Sequence, residues 1–354
     1  MESKIRVLVV DDSALVRKML SDMLNQHPQI EVVGTAQDGS FVLQKIKLLN
    51  PDVVTLDVEM RQTGGLEILP EIVQQFGLPV IMVSAHTERG ANATMKALEL
   101  GAVDFVNKPH ALGGGNIQEV GDLLARKILA VAQSKRWIRS RIQSVPAKPT
   151  PPPVRFNRPV PPSHSRITMI AIGASTGGTE AIKDVLVNLP DTLPGIVIVQ
   201  HMPAGFTKAF SNRLDGLCKI RVKEAEDGDP VQTGTALIAP GSHHMEIVGM
   251  QGSYRVRLSE TPPVNRHRPS VDVLFHSVAQ RVGNRALGVI LTGMGGDGSL
   301  GLLAMREQGS TTVAQDEESC VVFGMPKEAI KVGGATYVMA LNQIAPFLVD
   351  SVQR

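Results

Sequence analysis

Short apolar runs alternate with amphipathic segments through the first 125 residues, and this alternation restricts the fold more than any other feature of the chain. The runs are rich in β-branched residues and occupy residues 5–10, 30–36, 52–57, 79–84 and 103–107. Helical patterns separate them near residues 14–25, 41–49, 66–75 and 92–100, and a long last helix begins near residue 117. Five such βα units predict an α/β fold with a doubly wound parallel sheet.

A proline-rich segment then interrupts the pattern. Residues 145–162 contain eight prolines, including Pro151-Pro152-Pro153 and Pro161-Pro162. Proline runs favour extended, semi-rigid conformations over a packed core, so the segment is predicted to be a linker; a binding motif made of the same prolines is the alternative. The length of 354 residues suggests about two domains. We predict a first domain over residues 1–125, a helical extension and linker over 126–163, and a second domain over 164–354.

The βα pattern resumes after the linker. Residues 167–172, 195–200 and 287–292 are apolar runs typical of buried strands. Residues 242–259 alternate apolar and polar side chains around Gly249 and Gly252, which predicts a hairpin added to the sheet. The second domain is therefore expected to be another doubly wound parallel α/β sheet, of Rossmann-like type.

The composition excludes several classes of protein. A net charge of +2 gives no general attraction to nucleic acid or to membranes, and the basic run at residues 135–141 is interpreted as a solvated helix end. Cys218 and Cys320 provide neither a disulfide framework nor the spacing of metal ligands. No apolar run approaches the ~18 residues that span a bilayer. We expect a cytoplasmic protein with no nucleic-acid partner and no direct membrane insertion.

Polar residues stand where the strands of the first domain end: Asp11, Asp12, Asp57, Ser84 and Lys108. Because the carboxyl ends of parallel strands lie at one edge of a sheet, these side chains are expected to converge. Carboxylates about 4 Å apart repel by ~4 kcal/mol per pair at an effective dielectric constant of ~20, so a cation is required, and oxygen ligands suit Mg²⁺. Such a carboxylate is arranged to accept a phosphoryl group, although any one aspartate taken alone fits a helix cap or a solvated position equally well.

Because all five of these positions carry the residues typical of that family, residues 1–125 resemble a bacterial two-component receiver domain. The resemblance implies a flavodoxin-like fold in which Asp57 is the phosphoacceptor. It also implies that Mg²⁺ is bound by Asp12, by Asp57 and by the backbone carbonyl of Glu59, with assistance from Asp11.

The same resemblance assigns roles to other residues of the pocket. Ser84 and Lys108 would sense the phosphoryl group, and Phe105 would be the aromatic residue that changes its packing with Ser84. Relatives of the whole chain usually carry proline where Arg61 stands and aspartate where Gly64 stands. These departures leave the stiffness of the loop and the lifetime of the phosphoryl group open.

Ser175 is the first residue of chemical interest in the second domain. It lies in Ile172-Gly173-Ala174-Ser175-Thr176-Gly177-Gly178, directly after an apolar run, on what is predicted to be a sharp strand-to-helix turn. Glycines there let backbone N–H groups and the hydroxyl face either an oxyanion or a phosphate. His201 ends the next strand and Asp297 follows a third, so the three side chains are expected to form a nucleophile, base and orienting carboxylate.

Two neighbours complete this hypothesis. Gly293, Gly295 and Gly296 let the N–H of Met294 approach a developing oxyanion, and Thr176 is placed to position substrate or to orient His201. The phosphate-loop alternative lacks the lysine of a nucleotide-binding loop and the dinucleotide glycine spacing. Rival bases exist, namely His243, His244, His267 and His276, and His267 is the strongest because Arg266, Arg268 and a helix start at Pro269-Ser270 surround it.

The second half also resembles a known family, the chemotaxis protein-glutamate methylesterases of the CheB family. The motifs that carry the resemblance are Gly173-Ala174-Ser175-Thr176-Gly177-Gly178, Gln200-His201-Met202, Pro240-Gly241 with His243-His244, Val264-Asn265-Arg266-His267-Arg268-Pro269-Ser270-Val271-Asp272, and Leu291-Thr292-Gly293-Met294-Gly295-Gly296-Asp297-Gly298.

This second resemblance implies a serine hydrolase that removes methyl groups from glutamyl methyl esters on methyl-accepting chemotaxis receptors and deamidates particular glutamines. Ser175 would attack, His201 would transfer the proton, Asp297 would orient the imidazole, and this half would need no metal. A chemotaxis histidine kinase would phosphorylate Asp57 and relieve inhibition by the receiver. The alternatives are a receiver-gated binding module without turnover and, more weakly, a transcriptional regulator, for which no helix-turn-helix pattern is evident.

Overall fold

The computed structural model describes residues 3–60, 64–85, 87–108, 117–132, 154–155 and 167–353. The chain divides into two compact units, Met1–Pro146 and Ala147–Arg354. This division falls inside the segment predicted to connect the domains, while the predicted boundaries after residues 125 and 163 stay predictions. Arg61, the basic run at 135–141 and most of the proline-rich segment lie outside the described residues.

The first unit contains a five-stranded parallel sheet in the order β2-β1-β3-β4-β5. Its strands are β1 (Ile5–Val10), β2 (Ile30–Ala36), β3 (Val53–Asp57), β4 (Val80–Ser84) and β5 (Asp104–Asn107). Its helices are α1 (Ala14–Asn25), α2 (Val42–Leu49), α3 (Gly65–Phe76), α4 (Glu88–Glu99) and α5 (Ile117–Ala132). This strand order is that of flavodoxin-like sheets, which confirms the predicted fold class.

One helix of this unit begins earlier than the sequence pattern indicates. The helix predicted near residues 92–100 is present, but its predicted start is wrong, because α4 begins at Glu88. Thr87 precedes it in an extended conformation, and its hydroxyl accepts a hydrogen bond from Gly90 N at 2.9 Å. This side-chain cap satisfies a donor of the first turn, which the apolar periodicity alone did not reveal.

The second unit contains an eight-stranded sheet in the order β6-β15-β14-β13-β7-β8-β10-β9. Its strands are β6 (Val154–Arg155), β7 (Met169–Ala174), β8 (Gly195–Gln200), β9 (Arg221–Glu224), β10 (Thr235–Ile238), β13 (Ala286–Ile290), β14 (Thr311–Gln315) and β15 (Tyr337–Met339). Its helices are α6 (Gly178–Leu186), α7 (Phe206–Asp215), α8 (Val271–Arg281), α9 (Ser299–Glu307), α10 (Met325–Lys331) and α11 (Leu341–Gln353). All strand pairs in this sheet are parallel except the edge pair β6 and β15, which confirms the second predicted sheet.

Two details go beyond the predicted arrangement. The hairpin consists of β11 (His244–Val248) and β12 (Arg255–Ser259), which pair antiparallel as a separate two-stranded sheet. β6 comes from the proline-rich segment, so part of the predicted linker pairs with the second sheet. The prediction that residues 126–163 connect the domains stays a prediction.

The helices α8 and α9 pack closely at one glycine. A Cβ atom built on Gly301 would lie 2.6 Å from Phe275 Cβ and 3.1 Å from the carbonyl oxygen of Asp272. Because such distances are shorter than van der Waals contact, only glycine allows the two helices this approach. The contact fixes the first turn of α8 against the first turn of α9.

Two leucines of α9, one on each side of Gly301, provide a test of this core. Leu302 is fully buried and belongs to the main apolar cluster of the unit, whereas Leu300 is 55% exposed. We expect Leu302→Ala to lower the free energy of unfolding of the second unit by about 2–5 kcal/mol, because it leaves a cavity, and Leu300→Ala to change it by less than about 0.5 kcal/mol. Urea denaturation of both variants measures the difference. Equal effects would contradict the described packing of α9.

Candidate active site

Three adjacent strands carry the candidate site of the second unit. β13, β7 and β8 are neighbours in the sheet, and the residues that follow their carboxyl ends include Asp297, Ser175 and His201 respectively. The chain passes from β7 to β8 on one side, while β13 pairs with β7 on the other. A parallel sheet opens a crevice for ligands where the strand order reverses in this way.

Ser175 lies on a tight turn between β7 and α6. Its N–H donates to the Thr292 carbonyl at 3.0 Å, and its carbonyl accepts from Gly178 N at 2.7 Å. Gly177 adopts φ of +76°, and a Cβ atom there would lie 2.5 Å from Val321 Cβ. The turn therefore requires glycine at this position and holds the serine at the amino end of a helix, where partial positive charge stabilises a developing anion.

His201 is anchored beside the serine turn. The backbone N–H of His201 donates to the carbonyl of Ala174, the residue before Ser175, at 3.0 Å. Its Nε2 lies 2.8 Å from Asp297 Oδ2, and its side chain is 6% exposed. Its Nδ1 is buried and has no hydrogen-bond partner among the residues that the structure describes. Since an ionised Asp297 has no proton to donate, Nε2 is the donor in this pair and Nδ1 is the nitrogen that can accept a proton.

Asp297 is a buried carboxylate with an unusual number of donors. Besides His201, it accepts hydrogen bonds from Ser270 Oγ at 2.7 Å, Val271 N at 2.6 Å, Asn265 Nδ2 at 2.8 Å and, more weakly, Asp272 N at 3.4 Å. Burial alone would raise the pKa of Asp297, but the bonds from His201, Asn265 and Ser270 outweigh it and hold the pKa well below its usual range. The start of α8 adds the favourable end of a helix dipole. The carboxylate therefore stays ionised at neutral pH, and its stabilising contribution is lost only as the pH falls below the usual aspartate range.

Thr176 and Met294, which were predicted to assist Ser175 and His201, lie at the same edge of the sheet as Ser175. Thr176 is 1% exposed, and its Oγ1 is buried without a hydrogen-bond partner among the described residues. Met294 is partly exposed and follows Gly293, whose carbonyl accepts from Gly324 N at 3.1 Å and from Met325 N at 2.8 Å. Their positions beside Ser175 agree with the predicted roles, which stay predictions.

Two neighbours of the site, Gln200 and Asn265, lie in the motifs that carry the resemblance but were given no role from the sequence. Gln200 is 3% exposed, and its Nε2 donates to the carbonyls of Ser175 at 2.9 Å and His201 at 3.2 Å. The sequence feature that could have indicated Gln200 is its position as a polar residue at the end of an otherwise apolar strand. Asn265 reaches Asp297 from outside the sheet, and no local pattern indicates that contact.

The rival histidines have other contacts. His267 stacks on His201, with ring centroids 3.7 Å apart and planes 8° apart. His243 contacts Ser242 Oγ at 2.7 Å and Glu260 at 3.1 Å, and the buried His244 accepts from Ser270 N at 3.2 Å. His276 is exposed on α8. His201 contacts Asp297 directly, and its role as the base stays a prediction.

The acidic residues of the first unit converge as expected. Carboxylate oxygens of Asp11, Asp12 and Asp57 lie within 4.8 Å of one another. Lys108 Nζ is 2.8 Å from Asp11 Oδ2 and 2.7 Å from Asp57 Oδ2. Burial raises the pKa of Asp57 to about 6, against the opposing effect of Lys108. Three converging oxygen ligands with a single lysine between two of them fit a divalent cation such as Mg²⁺.

The remaining residues of this pocket lie on or beside its strands. Asp57 Oδ1 accepts from Glu59 N at 3.2 Å. The hydroxyl of Ser84 donates to the Gly90 carbonyl at 3.2 Å, toward α4, and Phe105 is 5% exposed on β5. Gly64 precedes α3, and a Cβ atom there would meet no heavy atom within 4 Å. A Cβ atom at this position would therefore meet no obstacle.

Two family models match the sequence. The model described as CheB methylesterase matches residues 170–348, and the response regulator receiver domain matches residues 7–113. The chain is 51% identical to protein-glutamate methylesterase/protein-glutamine glutaminase 2 of Cupriavidus pinatubonensis, across 97% of this chain and 94% of that protein. It is 50% identical to the protein-glutamate methylesterase/protein-glutamine glutaminase of Salmonella typhimurium, across 97% and 95%. The solved CheB methylesterase catalytic domain of Thermotoga maritima shares 40% identity with a TM-score of 0.51, across 52% of this chain and 99% of that domain.

The raised pKa of Asp57 predicts a pH-dependent gain in stability on its replacement. Because the folded state holds the Asp57 proton up to about pH 6 and the unfolded state only to about 3.8, stability falls as the pH rises between these values. We expect Asp57→Asn to raise the free energy of unfolding at pH 7 by on the order of 1–3 kcal/mol and to lose most of that gain below pH 4. Urea denaturation in EDTA at both pH values measures it, with the exposed Asp22→Asn as control. A gain of the same size at pH 4 would contradict the electrostatic origin.

Proposed function

The chain belongs to the CheB methylesterase family and carries a response regulator receiver domain, and from this premise we propose that it demethylates and deamidates methyl-accepting chemotaxis receptors under control of phosphorylation. The observation that carries the proposal is the buried His201–Asp297 pair, 2.8 Å apart, beside a serine on a strand-to-helix turn. A carboxylate with so low a pKa, bonded to an imidazole, is suited to orient a general base.

In the proposed reaction, Ser175 Oγ attacks the side-chain carbonyl carbon of a glutamyl methyl ester while its proton passes to His201 Nδ1. The tetrahedral intermediate collapses to an acyl-enzyme, and the imidazolium returns the proton to the departing methanol. Water then attacks the acyl-enzyme with the same base and releases glutamate. A glutamine side chain follows the same sequence with ammonia as the leaving group.

Three further residues have supporting roles in this proposal. Asp297 keeps the imidazole in the tautomer with a proton on Nε2 and stabilises the imidazolium that forms. The N–H of Met294 stabilises the oxyanion, an interaction of ~3–4 kcal/mol in comparable sites. Thr176, whose hydroxyl is buried without a partner among the described residues, positions the substrate or the imidazole. No metal takes part in this half of the chain.

The receiver is proposed to gate this activity. Asp57 accepts the phosphoryl group from a chemotaxis histidine kinase. Mg²⁺ would be held by Asp12, Asp57 and the Glu59 carbonyl, with Asp11 beside it, and would supply positive charge to the phosphoryl oxygens. Lys108 supplies a second positive charge from within 2.8 Å of two of these carboxylates.

Ser84 and Phe105 would transmit the change to the receiver surface, and the unphosphorylated receiver would cover the catalytic cleft.

Among the described residues, no helix is both long and apolar enough to cross a bilayer. We place the protein in the cytoplasm, where the cytoplasmic helices of receptors and the kinase are accessible to it.

Replacement of the nucleophile tests the activity. We expect Ser175→Ala to reduce methanol release from methylated receptor by at least about 10³-fold, and Asp297→Asn to reduce it by about 10⁴-fold, because each removes a member of a unit that acts together. The exposed Ser253→Ala, at the tip of the hairpin, serves as the matched control. A Ser175→Ala variant that keeps ester hydrolysis would exclude the serine mechanism, and receptor binding without methanol release by the wild type would favour a receiver-gated binding module.

Gating is tested with a small phosphodonor. We expect acetyl phosphate with Mg²⁺ to raise methanol release by the wild type several-fold, Asp57→Asn to show no response, and EDTA to abolish the response without lowering the rate of the isolated second unit, Ala147–Arg354. That unit should also exceed the unphosphorylated full chain, because it lacks the covering receiver. Equal rates for the two proteins would refute autoinhibition, and a full response of Asp57→Asn would refute the phosphoacceptor assignment.

A further inference from the structure

We propose that Asn265 is a positioning residue of this enzyme, which acts through Asp297 to hold His201 in its reactive orientation. The inference deepens the proposed function and rests on it for the assignment of the reaction. Its physical content is separate, since it concerns how one side-chain amide holds a buried carboxylate.

The amide of Asn265 lies between two carboxylates. Its Nδ2 donates to Asp297 Oδ1 at 2.8 Å and to Asp272 Oδ2 at 2.7 Å. A primary amide nitrogen carries two protons, so one atom can satisfy both acceptors. Asp272 is itself held, because its Oδ1 accepts from Gly301 N at 2.7 Å in the first turn of α9. Asn265 therefore connects Asp297 to a fixed point of the helical layer.

The Asn265 amide, which bridges Asp297 and Asp272, reduces the repulsion between the two carboxylates. Asp297 and Asp272 are 2% and 5% exposed, and burial, together with the charge of Asp297, raises the pKa of Asp272. A donor shared between two like charges offsets their repulsion and engages Asp297 Oδ1. The second oxygen, Oδ2, is then directed at His201 Nε2, 2.8 Å away. Without the amide, the carboxylate loses one of the bonds that decide which oxygen faces the imidazole.

The backbone around Asn265 is unusual in a way that supports a functional role. Asn265 and Arg266 have φ values of 52° and 66°, which are disfavoured for residues other than glycine. They form the centre of a two-residue turn closed by Val264 N to His267 O at 3.0 Å and His267 N to Val264 O at 2.9 Å. Asparagine tolerates this conformation and arginine adopts it less readily, so any backbone strain of the turn lies at Arg266, and the turn fixes where Asn265 places its amide.

The same turn contacts the other member of the pair. It places the His267 ring in a parallel stack on His201, with centroids 3.7 Å apart. One short turn thus holds Asp297 by a hydrogen bond and His201 by ring stacking. This dual contact distinguishes the turn from Ser270 and Val271 at the start of α8, which donate to Asp297 and, among the described residues, form no hydrogen bond with His201.

Two substitutions separate the side chain from the backbone. Asn265→Gly retains the left-handed conformation and removes the amide, and Asn265→Asp retains the tolerance of that conformation but replaces the donor with a third carboxylate. Because Asn265 is exposed, neither change opens a cavity in the core. Asn188→Ala, at an exposed asparagine beyond α6 whose Nδ2 donates to the Asp184 carbonyl at 2.7 Å, is the matched control.

The activity readout is kcat for methanol release from methylated receptor by the full chain activated with acetyl phosphate and Mg²⁺. We expect Asn265→Gly to lower kcat by roughly ten- to a hundredfold, the rate equivalent of one hydrogen bond to a charged group, with KM unchanged. Asn265→Asp should lower it further, and Asn188→Ala should match the wild type. Wild-type kcat in both Asn265 variants would overturn the inference, because a purely conformational role is preserved in both.

The second readout is independent of turnover. In full chain labelled with ¹⁵N-histidine, we expect the His201 Nε2–H signal, assigned by its loss in His201→Gln, to shift and exchange faster in Asn265→Gly than in the wild type. An unchanged signal would overturn the inference. If the wild type released no methanol, the proposed function would fail while this measurement still decided the role of Asn265.

Discussion

The hydrogen bonds to the buried Asp297 carboxylate are the interaction on which the catalytic unit depends. A charge that is 2% exposed is tolerated only when its oxygens are satisfied, and here the donors come from the loop after β8, from the start of α8 and from the turn at residues 264–267. The loop after β8 is distant in sequence from the other two segments, which follow one another within residues 264–271. The carboxylate couples them, so that the geometry of the imidazole and the path of the surrounding loops are determined together.

Each unit has a buried aspartate at or beyond the carboxyl ends of the strands of its own parallel sheet, and the pKa values of the two aspartates shift in opposite directions. Asp57 accepts few hydrogen bonds and lies beside Asp11, so burial raises its pKa to about 6. Asp297 is also buried, yet its donors lower its pKa. The difference suits the proposed chemistry. A carboxylate that must receive a phosphoryl group and a cation keeps oxygen atoms available, whereas a carboxylate that must orient a base is fully engaged by the protein.

The sequence predicted the parts of this protein that depend on local patterns. Apolar runs located the central strands to within a few residues. Polar residues at or directly after strand ends indicated Asp57, Ser175 and His201, and the glycine-rich loop after a further strand indicated Asp297. What escaped depends on contacts between distant segments. Asn265 meets Asp297 across 32 residues, the start of α4 is set by the Thr87 hydroxyl, and no periodicity records either contact. The edge strand β6 escaped because its backbone pairing is hidden among prolines.

That edge strand has a consequence for the behaviour of the second unit outside the full chain. β15 would end the sheet with a row of unpaired backbone groups, which is the kind of edge that recruits strands from other molecules. Residues 154–155 occupy this edge by antiparallel pairing with Tyr337 and Val338. A fragment that begins after them exposes the edge to self-association. Residues 154–155 therefore serve to cover this edge of the sheet.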